Sequence, residues 1–372
     1  MIVVGTDTHK QTHTCGAVDA LTAKARGELT AAARRGSFGK LLVWARKLDG
    51  ERVWAIEDCR HVSGAFERFL VARGEHVVRV APKHMAGARR SARERGKSDS
   101  IDAFAVARAA LKEGLENLPG AHLDGRALDI RLLSDHRDDL IHARTQDQQR
   151  LRWHLHDMWP ELEVPSGALD TAKWLGTISR RLARAEQTMR ARIARELVRQ
   201  IAARTTRINE LERELARLVT DYAPQLLAEP GCGPLTAAKL VGEIAGADRF
   251  ATDAKLARTS GTAPIPASSG ATHRHRLDRG GNRQLNCALH RLAVNKGKWD
   301  PAAAAYLARK QAEGKSRKEA LRCLKRHLAR RVWKLLHTPP TTADPGPTLP
   351  IAPKATDHLE IVGAPSRMIC LG

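Results

Sequence analysis

Three separate segments of this chain deliver carboxylates where apolar runs end. Asp7 closes MIVVGTD, Glu57 closes RVWAIE, and Asp99 and Asp102 open SDSIDAFAVARAAL. The last two are three residues apart, so on a helix they share one face, one turn apart. Like charges at that spacing repel by roughly 0.2–0.5 kcal/mol, and a divalent cation between them reverses the sign. Asp7 and Glu57, at the ends of neighbouring strands, can converge on the same point. Hard cations take oxygen ligands, and two of them about 4 Å apart hold the attacking and leaving oxygens of a phosphoryl transfer. Magnesium, as two ions, is the cofactor this set of ligands predicts. Each acid taken alone has an ordinary use: Asp99 and Asp102 complement a helix dipole, Asp7 fits a turn, and Asp58 can serve in place of Glu57. The order Asp–Glu–Asp–x–x–Asp favours the metal over those uses.

The rest of the composition opposes this acidity. Lys and Arg number 63 against 41 acids, a net charge of +22 over 372 residues. That imbalance predicts a polyanionic partner, and nucleic acid is the commonest one. Aromatic residues make up 4%, too few for a single-strand binder built on base stacking. Six scattered cysteines without a CxxC pair argue against a zinc ribbon or a disulfide scaffold and predict reduced thiols in a cytoplasmic, nucleoid-associated protein. The start MIVVGTDTHK lacks the basic lead of a signal peptide, and no apolar run approaches the ~18 residues of a membrane span. His9 and His13 are four apart, but on a strand-to-turn segment that spacing is a weak zinc signal.

Elements that can position the acids follow from the patterning. Strand-length apolar runs fall at 2–6, 13–18, 52–57 and 75–81, with helical periodicity at 37–48, 62–73 and 99–113. Ser98 is placed to cap the last helix and Gly114 to stop it. Residues 124–159 and 178–222 read as long charged helices. In the second, Ile178, Leu182, Ala185, Met189, Ile193, Leu197 and Ile201 lead into Ile208, Leu211, Leu215, Leu218 and Tyr222 as a heptad seam with one stutter. Arg204 on that seam predicts a polar interruption. The two helices can form an antiparallel hairpin within one chain, or the seam can join two chains. After Pro224 come a PGCG turn and helix, a loop ARTSGTAPIPASSG, a helix in NRQLNCALHRLAV, and a basic amphipathic helix with Leu321, Leu324, Leu328, Val332 and Leu335 on one side. The last stretch holds seven of the seventeen prolines and reads as a disordered tail.

GTDTHK, AIEDCR and KSDSIDAFAVAR resemble the three acidic motifs of RuvC-like transposases with an Asp–Glu–Asp–Asp tetrad, those of the insertion-sequence "one-ten" family. The resemblance spans about residues 1–337. It implies an α/β RNase H-like (RuvC-like) catalytic domain over 1–119, a helical coiled-coil region over 120–222 and a mainly α transposase domain over 223–337, with 338–372 as the tail. Asp7, Glu57, Asp99 and Asp102 become metal ligands. PGCGPLTAA resembles the family's PGxGxxxA hairpin. Backbone amides near Gly231 and Gly233 there can hold a DNA phosphate, or the turn can simply pack two helices. GTAPIPASSG, followed by THRHRLDRGGN, resembles the family's serine loop. It places the covalent nucleophile at Ser269, with Ser268 as its neighbouring alternative. Asp278 departs from the small or basic residue usual after that loop.

Basic residues flank both motifs. Lys83, Arg89, Arg90, Arg93, Arg95 and Lys97 precede the Asp pair, and His273, Arg274, His275, Arg276, Arg279 and Arg283 follow the serine. Their expected role is to neutralise phosphates; a solvated surface is the plainer use. The implied protein is a magnesium-dependent recombinase of donor and target DNA, guided by a structured RNA and acting as a homodimer or tetramer, with no membrane partner. Rival readings are a RuvC-like structure-specific endonuclease, which needs no serine, an actin-like kinase suggested by GTDTHK, and a non-catalytic DNA-binding protein.

Overall fold

The computed structural model describes residues 1–57, 60–82, 84–85, 98–121, 125–270 and 275–338. The tail expected over 338–372 lies outside the described residues except for Thr338. Five strands form one sheet: β1 (Ile2–Thr8), β2 (Thr12–Asp19), β3 (Ala25–Ala32), β4 (Arg52–Glu57) and β5 (His76–Val80). Their order is β3-β2-β1-β4-β5. Only β2 runs against the others; β4 lies parallel to both β1 and β5. This order and sense are those of an RNase H-like sheet.

β1 is buried from end to end because helices cover both faces of the sheet. Ile2, Val4, Cys15, Ala17, Trp54 and Ile56 face α1 (Arg35–Leu48) and α2 (Arg60–Val71), meeting Phe38, Leu41, Phe66 and Leu70. Val3, Val18, Val53, Ala55 and Val80 face α3 (Asp99–Glu113) and its alanines. β3 was not expected. It is a half-exposed edge strand carrying Arg26 and Glu28, so it has no apolar run to announce it.

Two 34-residue helices, α4 (Gly125–Met158) and, after the short α5 (Ala172–Arg184), α6 (Met189–Tyr222), lie antiparallel. Arg137 meets Glu212 at 2.6 Å, Arg204 meets the buried Asp147 at 2.8 Å and Arg190 meets Asp157 at 2.7 Å. The polar interruption expected at Arg204 is therefore an ion pair inside the hairpin. The continuous seam from Ile178 to Tyr222 is not what forms. α5 ends before Ala185, where Arg195 donates to the Leu182 carbonyl, and Thr188 caps a new helix by accepting from Ala191 N. Met189 (65% exposed) and Ile193 (39%) consequently face solvent.

Beyond Tyr222 come α7 (Pro224–Leu227), α8 (Pro234–Ile244), α9 (Asp253–Thr259), α10 (Arg283–Trp299), α11 (Pro301–Ala312) and α12 (Arg317–His337). Their core includes Ala127 and Ile130 of α4 and Leu215 and Val219 of α6. Lys239 of α8 is buried and reaches Asp135 at 2.8 Å and Asp138 at 3.1 Å on α4. One helix pair thus supports this bundle at one end, while Leu151, Leu155, Leu197 and Ile201 pack with α5 at the other. No described helix is long and apolar enough to cross a membrane.

Candidate metal centre and serine hairpin

Strand register brings the first two acids to one edge. Thr6 pairs with Ile56, so Asp7 and Glu57 are the next residues on adjacent parallel strands. Alternation puts both on the face that Val3 and Ala55 present to α3. That helix lies directly on the sheet: a Cβ added to Gly5 would be 2.0 Å from the Ala103 carbonyl oxygen and 2.5 Å from Ala107 N. Gly16, paired with Gly5, leaves room for the Phe104 ring. The close approach carries the first turn of α3, with Asp99 and Asp102, to the end of β1. As expected, Ser98 caps this turn, its Oγ accepting from Ile101 N at 3.2 Å.

A fifth side chain, His9, enters the group. His9 Nε2 lies 3.1 Å from Asp7 Oδ2 and 3.4 Å from Asp99 Oδ1. One ligand atom from each of these three residues falls within 4.8 Å of the others. Asp102 is buried near Asp7 but outside that tight group; Glu57, half-buried, is also outside it. Burial pushes the Asp7 carboxyl above its ordinary range; His9 opposes this, and the charges of Asp102 and Asp99 add to it. An acid so placed, among like charges, is the kind of donor set that a divalent cation stabilises. Asp7 is 8% exposed, whereas His9 and Asp99 are 53% and 55% exposed, so the cluster opens to solvent on one side.

The sequence signal for His9 is its position two residues beyond Asp7, at the turn that follows β1. His13 faces the other layer, stacked on Phe38 with ring centroids 5.6 Å apart.

Ser269 and Ser268 are exposed in the hairpin between β6 (Ile265–Pro266) and β7 (His275–Arg276). The base of this hairpin is tightly built. A Cβ on Gly281 would lie 2.2 Å from Gly261 N, so the two ends of the loop touch backbone to backbone. Asn286 donates to the Ser260 carbonyl at 2.7 Å, and the buried Lys325 donates to Asn286 Oδ1 at 2.8 Å. Asn282 caps α10 and donates to Glu243 at 2.6 Å. Asp278 accepts from Gly280 N at 2.8 Å and shapes the turn after β7. Among the described residues nothing bonds Ser269 to a carboxylate. Arg276, Arg279 and Arg283 are exposed, and none is in an ion pair among the described residues.

Gly231, at φ 82°, packs its turn onto α10, where an added Cβ would be 2.8 Å from Lys296 N. Gly233 precedes Pro234 at the start of α8. An open groove of about 400 Å³ borders this turn, with Asn295 and the exposed Trp299 on its far side. Asp58, Lys83, Arg89, Arg90, Arg93, Arg95, Lys97, His273 and Arg274 lie outside the described residues.

The helix α9 that precedes the serine hairpin is linked to the acidic helix within this chain. Arg258, two residues before Ser260, pairs with Glu113 at the far end of α3, and Lys255 donates to the Glu116 carbonyl. Arg249 donates to the Gly120 carbonyl at 2.5 Å. Glu113 is eleven residues from Asp102, a rise of about 16 Å along the helix.

A sheet of this topology with acids gathered at one strand end under a capping helix is the architecture of an enzyme that cuts nucleic acid backbones. A family model described as "Transposase" matches residues 4–160, and one described as "Transposase IS116/IS110/IS902 family" matches residues 223–308. The chain belongs to this IS110-type transposase family. It is 26% identical over 344 residues to an uncharacterized protein of insertion element IS116 from Streptomyces clavuligerus, covering 80% of this chain and 85% of that one. It is 24% identical over 333 residues to the corresponding IS900 protein of Mycobacterium paratuberculosis, covering 77% and 83%. It is 35% identical over 132 residues to an IS110 protein of Streptomyces coelicolor, a third of each chain (34% and 33%). T. thermophilus RuvC, solved with a Holliday junction substrate, aligns with 32% of this chain and 99% of its own at 15% identity, with a TM-score of 0.26; the sheet assignment rests on the strand order instead.

Proposed function

We propose that this transposase cuts and rejoins DNA through a covalent serine intermediate. In this reading Asp7, Glu57, Asp99 and Asp102 hold two magnesium ions, which when bound supply positive charge at the scissile phosphate. Ser269 Oγ attacks phosphorus: the Oγ–P bond forms, the bond to the leaving deoxyribose oxygen breaks, and the serine proton ends on that oxygen. The phosphoserine link keeps the phosphodiester bond energy, so a second DNA end can reverse the step and leave rejoined strands. Arg276, Arg279 and Arg283 bind flanking phosphates, the amides around Gly231 and Gly233 bind another stretch of backbone, and Lys83, Arg89, Arg90, Arg93, Arg95, Lys97, His273 and Arg274 extend this surface. Residues 1–119 act as the catalytic domain and 223–337 as the serine-bearing one, spaced by 120–222, in a dimer or tetramer that handles two duplexes.

The observation that carries this reading is the convergence of Asp7 and Asp99, with Asp102 close by, at one strand end of a chain whose second family-matched region, residues 223–308, bears an exposed serine on a clamped hairpin. Guidance by a structured RNA rests on the family resemblance and on exposed arginines that have no acidic partner among the described residues. The test is to incubate the protein and its co-purified RNA with end-labelled DNA, then look for a denaturant-stable protein–DNA adduct. The adduct should require Ser269, Asp102 and magnesium. Cutting without an adduct would identify a hydrolytic endonuclease, and an adduct formed equally well without RNA would remove the guided part.

A further inference from the structure

We propose that His9 is a direct metal ligand, so that the position shared by Asp7 and Asp99 is a mixed nitrogen–oxygen site that binds Mn2+ or Co2+ in preference to Mg2+. This rests on the reading that the carboxylates hold divalent metal. One ring nitrogen, Nε2, faces oxygens of two different acids, at 3.1 Å and 3.4 Å. A ring nitrogen carries at most one hydrogen, so a hydrogen bond can satisfy only one of those oxygens well. Three donor atoms around a common point are what a cation uses. Each donor is placed by the fold. β1 alternation sets Asp7 on the α3 face, His9 N just past the strand end donates to Thr12 O at 2.9 Å to fix the turn, and the Ser98 cap fixes Asp99.

The donor types then set the metal. Magnesium prefers oxygen and keeps much of its water, whereas an added imidazole raises the affinity for first-row transition ions relative to magnesium, for Co2+ more than for Mn2+. Glu57 and Asp102, outside this tight group, offer only oxygen, the donor set of magnesium. The centre would therefore have two unlike positions: magnesium can fill both, and a transition ion is held more tightly than magnesium on the His9 side.

The test uses the full-length protein with Mn2+, Co2+ and Mg2+ as probes. Titration calorimetry gives each affinity, and pulsed electron paramagnetic resonance of bound Mn2+ detects a coordinated ring nitrogen. Wild type should show nitrogen coupling that disappears in His9→Ala and His9→Gln. Their Mn2+ and Co2+ affinity should fall by about tenfold or more, at least the loss seen when even an outer-shell partner is removed, while Mg2+ affinity changes much less. His9 is half-exposed, so both variants should keep the metal-free melting temperature. Absence of His9-dependent nitrogen coupling, or equal losses for all three ions, overturns the proposal. Asp7→Asn separates the two levels: if it binds every ion as tightly as wild type, the carboxylate centre itself is wrong.

Discussion

The Ala103 carbonyl oxygen occupies the space that a methyl group on Gly5 would need, only 2.0 Å from where its Cβ would sit. This contact sets the height of α3 above the sheet, and with it the distance from Asp102 to Asp7. Gly5→Ala forces the helix outward. Urea unfolding should show a loss of about 1–3 kcal/mol, typical of overpacking. DNA cleavage should fall by about a hundredfold, since a misplacement of about 1 Å at a catalytic centre costs that much. Gly39, in α1, has nothing within 4 Å of its would-be Cβ. Gly39→Ala should leave cleavage intact and raise stability by up to about 1 kcal/mol.

Asp7 shows the conflict between stability and function in the centre. Its carboxylate is buried beside Asp102 and Asp99, which disfavours its charge. Asp7→Asn should therefore melt no lower than wild type without metal. It should also lose the rise in melting temperature that Mn2+ gives the wild type, along with all cleavage. Thermal scans with and without Mn2+ check this; a full metal-induced rise in the variant would contradict it.

Ser269 and Ser268 are adjacent and both exposed, so only chemistry distinguishes them. Ser269→Ala should abolish the protein–DNA adduct while DNA binding, measured by gel shift, stays unchanged. Ser268→Ala should retain the adduct. Gly281→Ala spreads the base of the hairpin without touching either hydroxyl, and should reduce adduct formation at least tenfold if the clamp positions the serine. The opposite result for the two serines would move the nucleophile to Ser268.

Glu75 supplies a pH-dependent element at the other end of the sheet. It is buried, which by itself would raise its pKa, but hydrogen bonds from Arg52, Trp54 and Arg46 outweigh burial and hold it at about 2. A carboxyl whose folded pKa is depressed stabilises above its unfolded pKa, about 4.3 for glutamate, and that contribution is lost as pH falls toward 2. Urea unfolding of wild type against Glu75→Gln should differ by on the order of 3 kcal/mol at pH 7. The difference should shrink between about pH 4.5 and 2. A gap that persists unchanged at pH 2 would show that shape, not charge, is responsible.

Arg258 and Glu113 tie the serine-bearing region to the acidic helix by a half-exposed ion pair. Arg258→Glu should cost less than about 1 kcal/mol of stability, as exposed pairs do. Recombination should nevertheless drop if this tether helps align the hairpin, and Glu113→Arg on the same chain should restore it. Loss of recombination without rescue would assign Arg258 to DNA rather than to the tether.

Much of the fold was legible because its signals are local. The apolar runs of β1, β4 and β5, the Ser98 cap and the Gly114 stop are where their residue types predict. β3 was hidden because an edge strand needs no apolar run. The break between α5 and α6 was hidden because Ile178, Leu182, Met189 and Ile193 keep a helical spacing across it. At the break the Leu182 carbonyl accepts from Ala185 N and from Arg195 thirteen residues on, and periodicity does not record such contacts.

By itself, the sequence determined which side chains can carry the chemistry: four acids at element ends, a serine in a glycine-framed loop, and a cationic excess suited to a polyanion. The acids and the charge follow from residue type and short-range spacing; the serine is singled out only by the family resemblance. Only the tertiary structure decided that His9 stands between Asp7 and Asp99 while Asp102 lies just outside, and that His13 belongs to an aromatic layer. The first depends on how closely α3 rests on Gly5 and Gly16, a packing distance fixed by atoms about a hundred residues apart along the chain; the second depends on Phe38 and Phe66, packed against His13 on the opposite face of the sheet.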